Sequence, residues 1–431
     1  MNNNELFVSL DIGTSSVKVI IGEMANDTLN IIGVGNVKSE GLRKGSIVDI
    51  DETVHSIKKA VEQAERMVGI SLKRVVVGVT GNHVHLQDCH GVVAVSSENR
   101  EISNEDVRRV IEAAQVISIP PEREIIDVIP RQFIVDGLDE INDPRGMLGV
   151  RLEMEGTIIT GSKTVLHNLL RCVERAGLEI TDICLQPLAA GSVALSKDEK
   201  NLGVALVEIG GGSTTIAVFE QNHLVATSVL PIGGEHITKD LSIGLRTSTD
   251  EAERIKIKYG HGYYDHASED EVFEATIIGS DQKRSFNQLE IADIIEARLE
   301  EIYELILYEL KRLGIGELPG GFVLTGGTVK MPGVLELGQV VLQNSVRIAS
   351  PDYIGVREPQ YMTGVGLIQF AHKNAKIQGR KIGSNVTVDA VEVAATKEPP
   401  QQRSKPQQQQ QQHKEEKKVN KVKKFFGYFF E

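Results

Sequence analysis

One motif occurs twice in this chain, and its repetition constrains the fold more than any other feature. The first copy, LFVSLDIGTSSVKVIIG, consists of an apolar strand pattern, Asp11, a glycine-containing turn and a second strand pattern. The second copy, LGVALVEIGGGSTTIAVF, has the same order with Glu208 as the acid. Each copy alone predicts no more than an ordinary hairpin turn. Repetition in a fixed order predicts a duplicated domain.

Both turns have features that suit a phosphate group. Backbone N–H groups in a glycine turn can approach an anion closely, and the run Gly210, Gly211, Gly212 removes side chains that would block the approach. Asp11 ends its strand, where a carboxylate can hold a hydrated divalent cation. Lys18 can place a positive charge on the same anion. Two such hairpins facing each other would hold a polyphosphate between two lobes.

Two later segments extend this pattern. The sequence GGFVLTGGTVKMPGVLEL predicts a buried strand followed by Gly326, Gly327 and Thr328, where a flat ring could lie against the backbone. The sequence GGEHITKDLSIGLRTSTDEAERIKIKYG predicts two helices, with Glu253 and Lys256 at i,i+3 spacing on one face. Taken alone, that pair predicts only a solvated salt bridge on a helix.

Composition excludes several classes of protein. At 431 residues the chain is long enough for two or more domains, and 41% hydrophobic with 25% charged residues is typical of a globular protein. A net charge of −13 argues against a general nucleic-acid binder, so we expect no nucleic-acid partner. The three cysteines show no metal-ligand spacing, which predicts reduced thiols. We also expect no export signal and no membrane-spanning segment.

The last part of the chain has an unusual composition. Residues 381–413 contain few large apolar residues, several prolines and a run of six glutamines, which predicts a disordered linker. In residues 414–431, a helical projection at about 100° per residue gathers six apolar side chains within roughly 140°, with lysines opposite. The apolar residues are Val419, Val422, Phe425, Phe426, Phe429 and Phe430, and the lysines are Lys417, Lys421 and Lys424.

A basic amphipathic helix with aromatic residues on one face is typical of a segment that lies in a membrane interface. The alternatives are a helix docked in a partner's groove or folded back onto its own body. A helix docked in a core need not gather lysines, so the pattern favours an anionic membrane surface.

The ordered set of motifs resembles the actin, sugar-kinase and heat-shock-chaperone ATPase superfamily, and within it the FtsA family of bacterial cell division proteins. The superfamily motifs are spread over residues 6–334, whereas GLRTSTDEAERIKIKYG and the lysine-aromatic end are more specific to the family. The resemblance implies an α/β chain with an actin-like ATPase fold. It implies two lobes of duplicated ribonuclease-H-like domains, an inserted α+β (SHS2-type) subdomain, a disordered linker and a C-terminal amphipathic helix.

The same resemblance implies domain boundaries. They are residues 1–83 with 165–197 and 355–380 for lobe I, 84–164 for the inserted subdomain, 198–230 with 316–354 for the core of lobe II, 231–315 for its outer subdomain, 381–413 for the linker and 414–431 for the membrane helix.

By resemblance, the ligands are ATP and Mg²⁺. The implied nucleotide-binding residues are Asp11, Gly13, Thr14, Ser15, Lys18, Gly210, Gly211, Gly212, Ser213, Thr214, Glu253, Lys256, Gly326, Gly327 and Thr328. Asp11 would hold Mg²⁺ through water, and Gln186 would orient an attacking water. The family usually has Asp where this chain has Glu208, and a misplacement near 1 Å can reduce a rate on the order of 10²-fold. We therefore expect nucleotide binding with weak or no ATPase activity.

The resemblance also implies partners and a location. The protein would polymerise on the cytoplasmic side of the cell membrane at the division septum, as a peripheral protein, and anchor FtsZ filaments there. Arg298 matches a position implicated in binding the FtsZ C-terminal peptide, and the inserted subdomain would contact later division proteins. The alternatives are a sugar or metabolite kinase, a chaperone-like ATPase and an actin-like ATPase of pilus assembly.

Overall fold

Two sheets that share one order of five strands organise the chain. The computed structural model describes residues 5–279, 283–379 and 384–385. The first sheet has the order β11-β6-β1-β2-β3, with the two-residue β19 added beside β1. Its strands are β1 (Glu5–Ile12), β2 (Ser16–Ala25), β3 (Thr28–Lys38), β6 (Arg74–Val79), β11 (Glu179–Leu185) and β19 (Ser384–Asn385).

The second sheet has the order β14-β13-β12-β17-β18. Its strands are β12 (Val204–Ile209), β13 (Thr214–Glu220), β14 (His223–Leu230), β17 (Phe322–Thr325) and β18 (Val346–Ile348). In both sheets, three consecutive antiparallel strands form one half, and two strands parallel to the first strand form the other half. This identity of order and direction confirms the duplication that the two turns predicted.

Ten helices are present among the described residues, and most of them cover the two sheets. They are α1 (Ile50–Val68), α2 (Asn104–Ala114), α3 (Lys163–Arg175), α4 (Gln186–Ala194), α5 (Lys197–Leu202), α6 (Gly234–Gly244), α7 (Thr249–Tyr259), α8 (Gln288–Arg312), α9 (Val334–Leu342) and α10 (Met362–Gln378). Two short hairpins complete the set, formed by β4 (Leu42–Arg43) with β5 (Ser46–Ile47) and by β15 (Val272–Thr276) with β16 (Lys283–Asn287).

Alternate residues of the central strands face different cores. On β12, Val207 packs into a cluster with the buried face of α8, whereas Leu206 packs into a second cluster with α4. A strand with both faces buried reads as a continuous apolar run, which is how β1 and β12 appear in the sequence. The helices α4 and α10 are in close contact between the sheets. Gly366 of α10 lies so near to Ala189 of α4 that a Cβ at Gly366 would be 2.1 Å from the carbonyl oxygen of Ala189.

A separate antiparallel sheet lies between β6 and β11 in the chain. Its order is β7-β10-β8-β9, from β7 (His85–Ala94), β8 (Arg123–Val135), β9 (Leu138–Ile141) and β10 (Arg151–Ser162). The helix α2 packs on it to form a core of its own that includes Val110, Phe133 and Met154. Ser103 and Asp106 form a capping box at the start of α2. The actin-like fold with an inserted α+β subdomain is therefore confirmed.

Candidate nucleotide-binding site

The two glycine turns have the same geometry. In the first turn, the N–H of Gly13 donates to the carbonyl oxygen of Ser16 at 3.0 Å. In the second turn, the N–H of Gly210 donates to the carbonyl oxygen of Ser213 at the same distance. A Cβ added at either glycine would lie 3.0 Å from the carbonyl oxygen that accepts its hydrogen bond. The duplication therefore extends from strand order to the conformation of the turn.

The turns face each other in direct contact. A Cβ on Gly211 would lie 1.7 Å from the Oγ of Ser15, and a Cβ on Gly212 would lie 2.5 Å from the Cγ2 of Thr14. A side chain at either position would displace the side chain of Ser15 or Thr14 on the opposing turn, because Cβ atoms do not approach other heavy atoms below 3.0 Å. The β4–β5 hairpin supports the first turn, since the N–H of Gly45 donates to the Oγ1 of Thr14 at 3.1 Å.

A small polar network forms the floor between the sheets. Gln186, the first residue of α4, donates its side-chain amide to Oδ1 of Asp11 at 2.7 Å. Lys18 donates to Oδ2 of the same carboxylate at 3.3 Å. All three side chains are buried, so the carboxylate is held in one orientation by an amide and an ammonium group.

Glu208 lies at the end of β12, beside this network. Thr363, at the start of α10, donates its hydroxyl to Oε2 of Glu208 at 3.1 Å. Burial, together with the negative charge of Asp11, raises the pKa of the Glu208 carboxyl to about 7. The positive charge of Lys18 and the hydrogen bond from Thr363 act in the opposite direction but do not cancel the effect.

The start of α6 links the second turn to the outer part of its lobe. The N–H groups of Gly234 and Glu235 donate to the carbonyl oxygens of Gly210 and Gly211 at 2.9 and 2.8 Å. A Cβ on Gly233 would lie 2.5 Å from the carbonyl oxygen of Gly210, so this close approach also requires glycine.

Lys256 and Thr328 approach the same helix start from two sides. The ammonium of Lys256 donates to the carbonyl oxygen of Gly234 at 3.0 Å and to the carboxylate of Glu253 at 2.7 Å. The hydroxyl of Thr328 donates to the carbonyl oxygen of Gly210 at 3.0 Å. The predicted i,i+3 pair is therefore a partly buried contact that links α7 to the start of α6.

The structure brings most of the predicted nucleotide residues to one place. Gly326 has a φ of +98°, and a Cβ there would lie 2.5 Å from the carbonyl oxygen of Ile209. Gly327 and Thr328 follow it directly at the end of β17. Thr214 donates its hydroxyl to the carbonyl oxygen of Ile232 at 2.8 Å. The role of these residues in binding a nucleotide stays a prediction.

Two other groups of predicted residues stand apart from this site. Arg298, on α8, binds Asp240 through two hydrogen bonds of 2.6 and 3.0 Å and also contacts Glu301. The predicted linker and membrane helix, residues 381–413 and 414–431, lie outside the described residues apart from Ser384 and Asn385.

Sequence reasoning missed two polar residues of the site. Glu235 accepts a hydrogen bond from the Oγ of Ser15 at 2.9 Å, and this bond joins the two lobes. Its signal was the glycine pair Gly233–Gly234 followed by an acid at a helix start. Thr363, the partner of Glu208, has no sequence signal, because only the folding of α10 against β12 brings it there.

Two general properties hold for the part of the chain that the structure describes. None of its helices combines the length and the apolar character needed to cross a bilayer. It also contains no group of three or more His, Cys, Asp or Glu side chains arranged to hold a metal ion.

Comparisons with known proteins agree with this architecture. A family model described as "Cell division protein FtsA" matches residues 205–366, and one described as "SHS2 domain inserted in FTSA" matches residues 81–160. The cell division protein FtsA of Bacillus subtilis (strain 168) is 72% identical over 395 residues, which cover 92% of this chain and 90% of that protein.

Two solved structures share the fold at low identity. A PilM-PilN type IV pilus biogenesis complex matches with a TM-score of 0.57 and 18% identity, over 84% of this chain and 97% of that chain. MreB5 of Spiroplasma citri bound to ADP matches with a TM-score of 0.54 and 15% identity, over 86% of this chain and 98% of that chain. The identity to the Bacillus protein over nearly the whole chain shows that this chain belongs to the FtsA family of cell division proteins.

Proposed function

We propose that this chain is an ATP-binding cell division protein that assembles on the cytoplasmic face of the cell membrane and anchors FtsZ filaments there. The observation that carries the nucleotide part is the pair of glycine turns of the same geometry, which face each other in direct contact. The turn hydroxyls and Lys18 lie near this contact, which supports a polyphosphate site between the turns once they separate.

The donor set also fits magnesium. Mg²⁺ keeps several water molecules and is held by one or two carboxylates together with the phosphates of the substrate. Asp11 provides one buried carboxylate at the cleft, and Glu208 provides a second one nearby. When bound, the ion would neutralise charge on the phosphates, while Lys18 and the backbone of the turns would orient them.

The floor of the cleft supports binding more than hydrolysis. An attacking water needs a side chain free to orient it, but the amide of Gln186 donates to Asp11. The carboxyl of Glu208 holds a hydrogen bond from Thr363, and its longer side chain differs from the usual Asp. We therefore propose slow turnover, with the nucleotide acting as a ligand for conformation and assembly.

Titration with a fluorescent ATP analogue tests this first part. We expect saturable, Mg²⁺-dependent binding and phosphate release that stays slow whatever small metabolite is added. Absence of saturable binding would remove the proposal, and release stimulated by a metabolite would favour a sugar or metabolite kinase.

The membrane part of the proposal depends on the sequence of residues 414–431. Fully burying one Phe side chain contributes roughly 1.5–3 kcal/mol, and each Lys near an anionic leaflet adds about 1 kcal/mol. Burial in an interface is partial and helix ordering opposes it, so one tail binds reversibly. A polymer that presents many tails binds by avidity, which makes self-assembly and membrane binding mutually reinforcing.

Flotation with anionic liposomes tests the tail. Deleting residues 414–431 should abolish co-flotation and leave ATP binding unchanged, because the cleft lies in the other part of the chain. Replacing Phe425, Phe426, Phe429 and Phe430 with serine serves as a matched variant that keeps every lysine. Flotation that survives either change would contradict the membrane anchor.

The FtsZ part of the proposal concerns α8. The guanidinium of Arg298 is partly exposed and is held in place by Asp240, which suits recognition of a carboxylate-bearing peptide. We expect Arg298→Ala to weaken binding of the FtsZ C-terminal peptide about tenfold, since a hydrogen bond to a charged group is worth about 1.5–3 kcal/mol. Arg246→Ala, an exposed change in the same lobe, is the control. Equal affinities of the two variants would exclude a role of Arg298 in binding the peptide, and no capture of the peptide by the wild type would favour a pilus-type partner.

We propose that the inserted subdomain contacts later division proteins.

A further inference from the structure

The strongest unassigned feature is the hydrogen bond between Ser15 and Glu235, which crosses the cleft between the lobes. The two residues are 220 positions apart, one on the first turn and one in the first turn of α6. The Oγ of Ser15 donates to Oε1 of Glu235 at 2.9 Å. The same oxygen lies 3.4 Å from the Cβ position of Gly211, so the carboxylate borders the second turn as well.

The backbone fixes this carboxylate in place. The N–H of Glu235 itself donates to the carbonyl oxygen of Gly211, and the preceding Gly234 is bonded to Gly210 in the same way. Lys256 donates to the carbonyl oxygen of Gly234, and Thr328 donates to that of Gly210. The base of the Glu235 side chain therefore cannot shift without disturbing the second turn. A negative charge is thus held where the two turns meet.

That position conflicts with a polyphosphate. Ser15 and Gly211 touch each other, and the carboxylate closes the same contact from the side of α6. A phosphate that enters between the turns must separate them and must replace the carboxylate as the partner of the Ser15 hydroxyl. Ser15 is exposed and Glu235 is half-buried, and two negative groups that compete for one hydroxyl at hydrogen-bond distance repel each other.

We propose that Glu235 is a clasp between the lobes that the phosphates of the nucleotide displace, so that its charge sets the affinity of the cleft according to the number of phosphates. This inference rests on the proposed nucleotide site. Because a nucleotide can bind only when the Ser15–Glu235 hydrogen bond breaks, its binding free energy is reduced by the free energy that this bond contributes. Removing the charge of Glu235 should therefore raise the affinity for nucleotides.

The test compares Glu235→Gln with the wild type in titrations of adenosine, AMP, ADP and ATP with Mg²⁺, using displacement of a fluorescent nucleotide. We expect unchanged affinity for adenosine and an increase that grows with the phosphate number, to about tenfold for ATP. Asp250→Asn is the matched control, since this exposed acid occupies the first turn of the next helix, α7, in the same lobe.

Two further results separate the explanations. Glu235→Ala, which also lacks the charge, should show the same dependence on phosphate number, and thermal melting checks that both variants are folded. Weaker ATP binding by both variants would overturn the clasp, because the carboxylate would then be helping to hold the ligand. An equal change in affinity for adenosine and ATP would also overturn it. Failure of the wild type to bind ATP would instead remove the proposed nucleotide site.

Discussion

Glu208→Gln should stabilise the protein at alkaline pH and lose this advantage in mild acid. The pKa of Glu208 is raised from the ordinary 4.5 to about 7, mainly by burial and then by Asp11. The folded state therefore favours the protonated carboxyl. Ionising this carboxyl lowers the free energy of unfolding by an amount that is absent below pH 4.5, grows between pH 4.5 and 7, and is complete above pH 7. Glutamine remains uncharged throughout and can still accept the hydrogen bond from Thr363.

The magnitude follows from the change in pKa. A rise from 4.5 to about 7 corresponds to about 3 kcal/mol between the two protonation states. Glu208 is half-buried by surface area, so screening by solvent reduces this difference to about 2–3 kcal/mol. At roughly 2 °C per kcal/mol, the variant should melt about 5 °C above the wild type at pH 8.5.

The assay is thermal melting of both proteins at pH 5.0 and pH 8.5 in EDTA, which keeps divalent cations from Asp11. The difference in Tm should be several times smaller at pH 5.0. Glu220→Gln, on the neighbouring strand β13, is the control and should show no such dependence on pH. A variant that melts below the wild type at pH 8.5, or an equal difference at both pH values, would refute the reasoning.

Three other substitutions test packing around the site. Gly211→Ala should weaken ATP binding by at least tenfold, measured by fluorescence titration, because the added methyl group would occupy the space between the turns that the phosphates need, whereas Gly316 faces open space and Gly316→Ala should bind normally. Gly366→Ala should lower the Tm by separating α4 from α10, at a cost of roughly 1–3 kcal/mol, and a Tm equal to that of the Gly316 control would contradict this packing. Arg347→Ala should lower the free energy of unfolding by about 1–2 kcal/mol at pH 7, because the hydrogen bonds of Arg347 lower the pKa of Glu199 to about 2. This contribution is complete above pH 4.5 and is lost as the pH falls through 2. An undiminished Tm at pH 7 would show that this pair contributes nothing.

Local features of the site could be predicted because each is encoded within one segment. The strand, acid and glycine turn around Asp11 occupy consecutive residues, and the second copy around Glu208 allowed the duplication to be recognised. The capping box of Ser103 and Asp106 likewise spans four residues. Strand order was also accessible, since duplication together with the superfamily resemblance fixes it.

Features that depend on distant segments could not be predicted. The Ser15–Glu235 bond joins residues 220 positions apart, and no local pattern specifies it. The end of α2 also differs from what the sequence predicts, because the segment from Ser103 reads as a helix that is stopped by Pro120–Pro121, whereas α2 ends at Ala114. Val116, two residues beyond this end, is 86% exposed.

We propose that one chain combines nucleotide binding, assembly and membrane attachment. The most direct measurement is negative-stain electron microscopy of the purified full-length protein with Mg·ATP on an anionic lipid monolayer, beside the variant that lacks residues 414–431. We expect filaments or small rings on the lipid for the full chain and a bare monolayer for the truncated one. A bare monolayer for both proteins, or equal coverage by both, would contradict it.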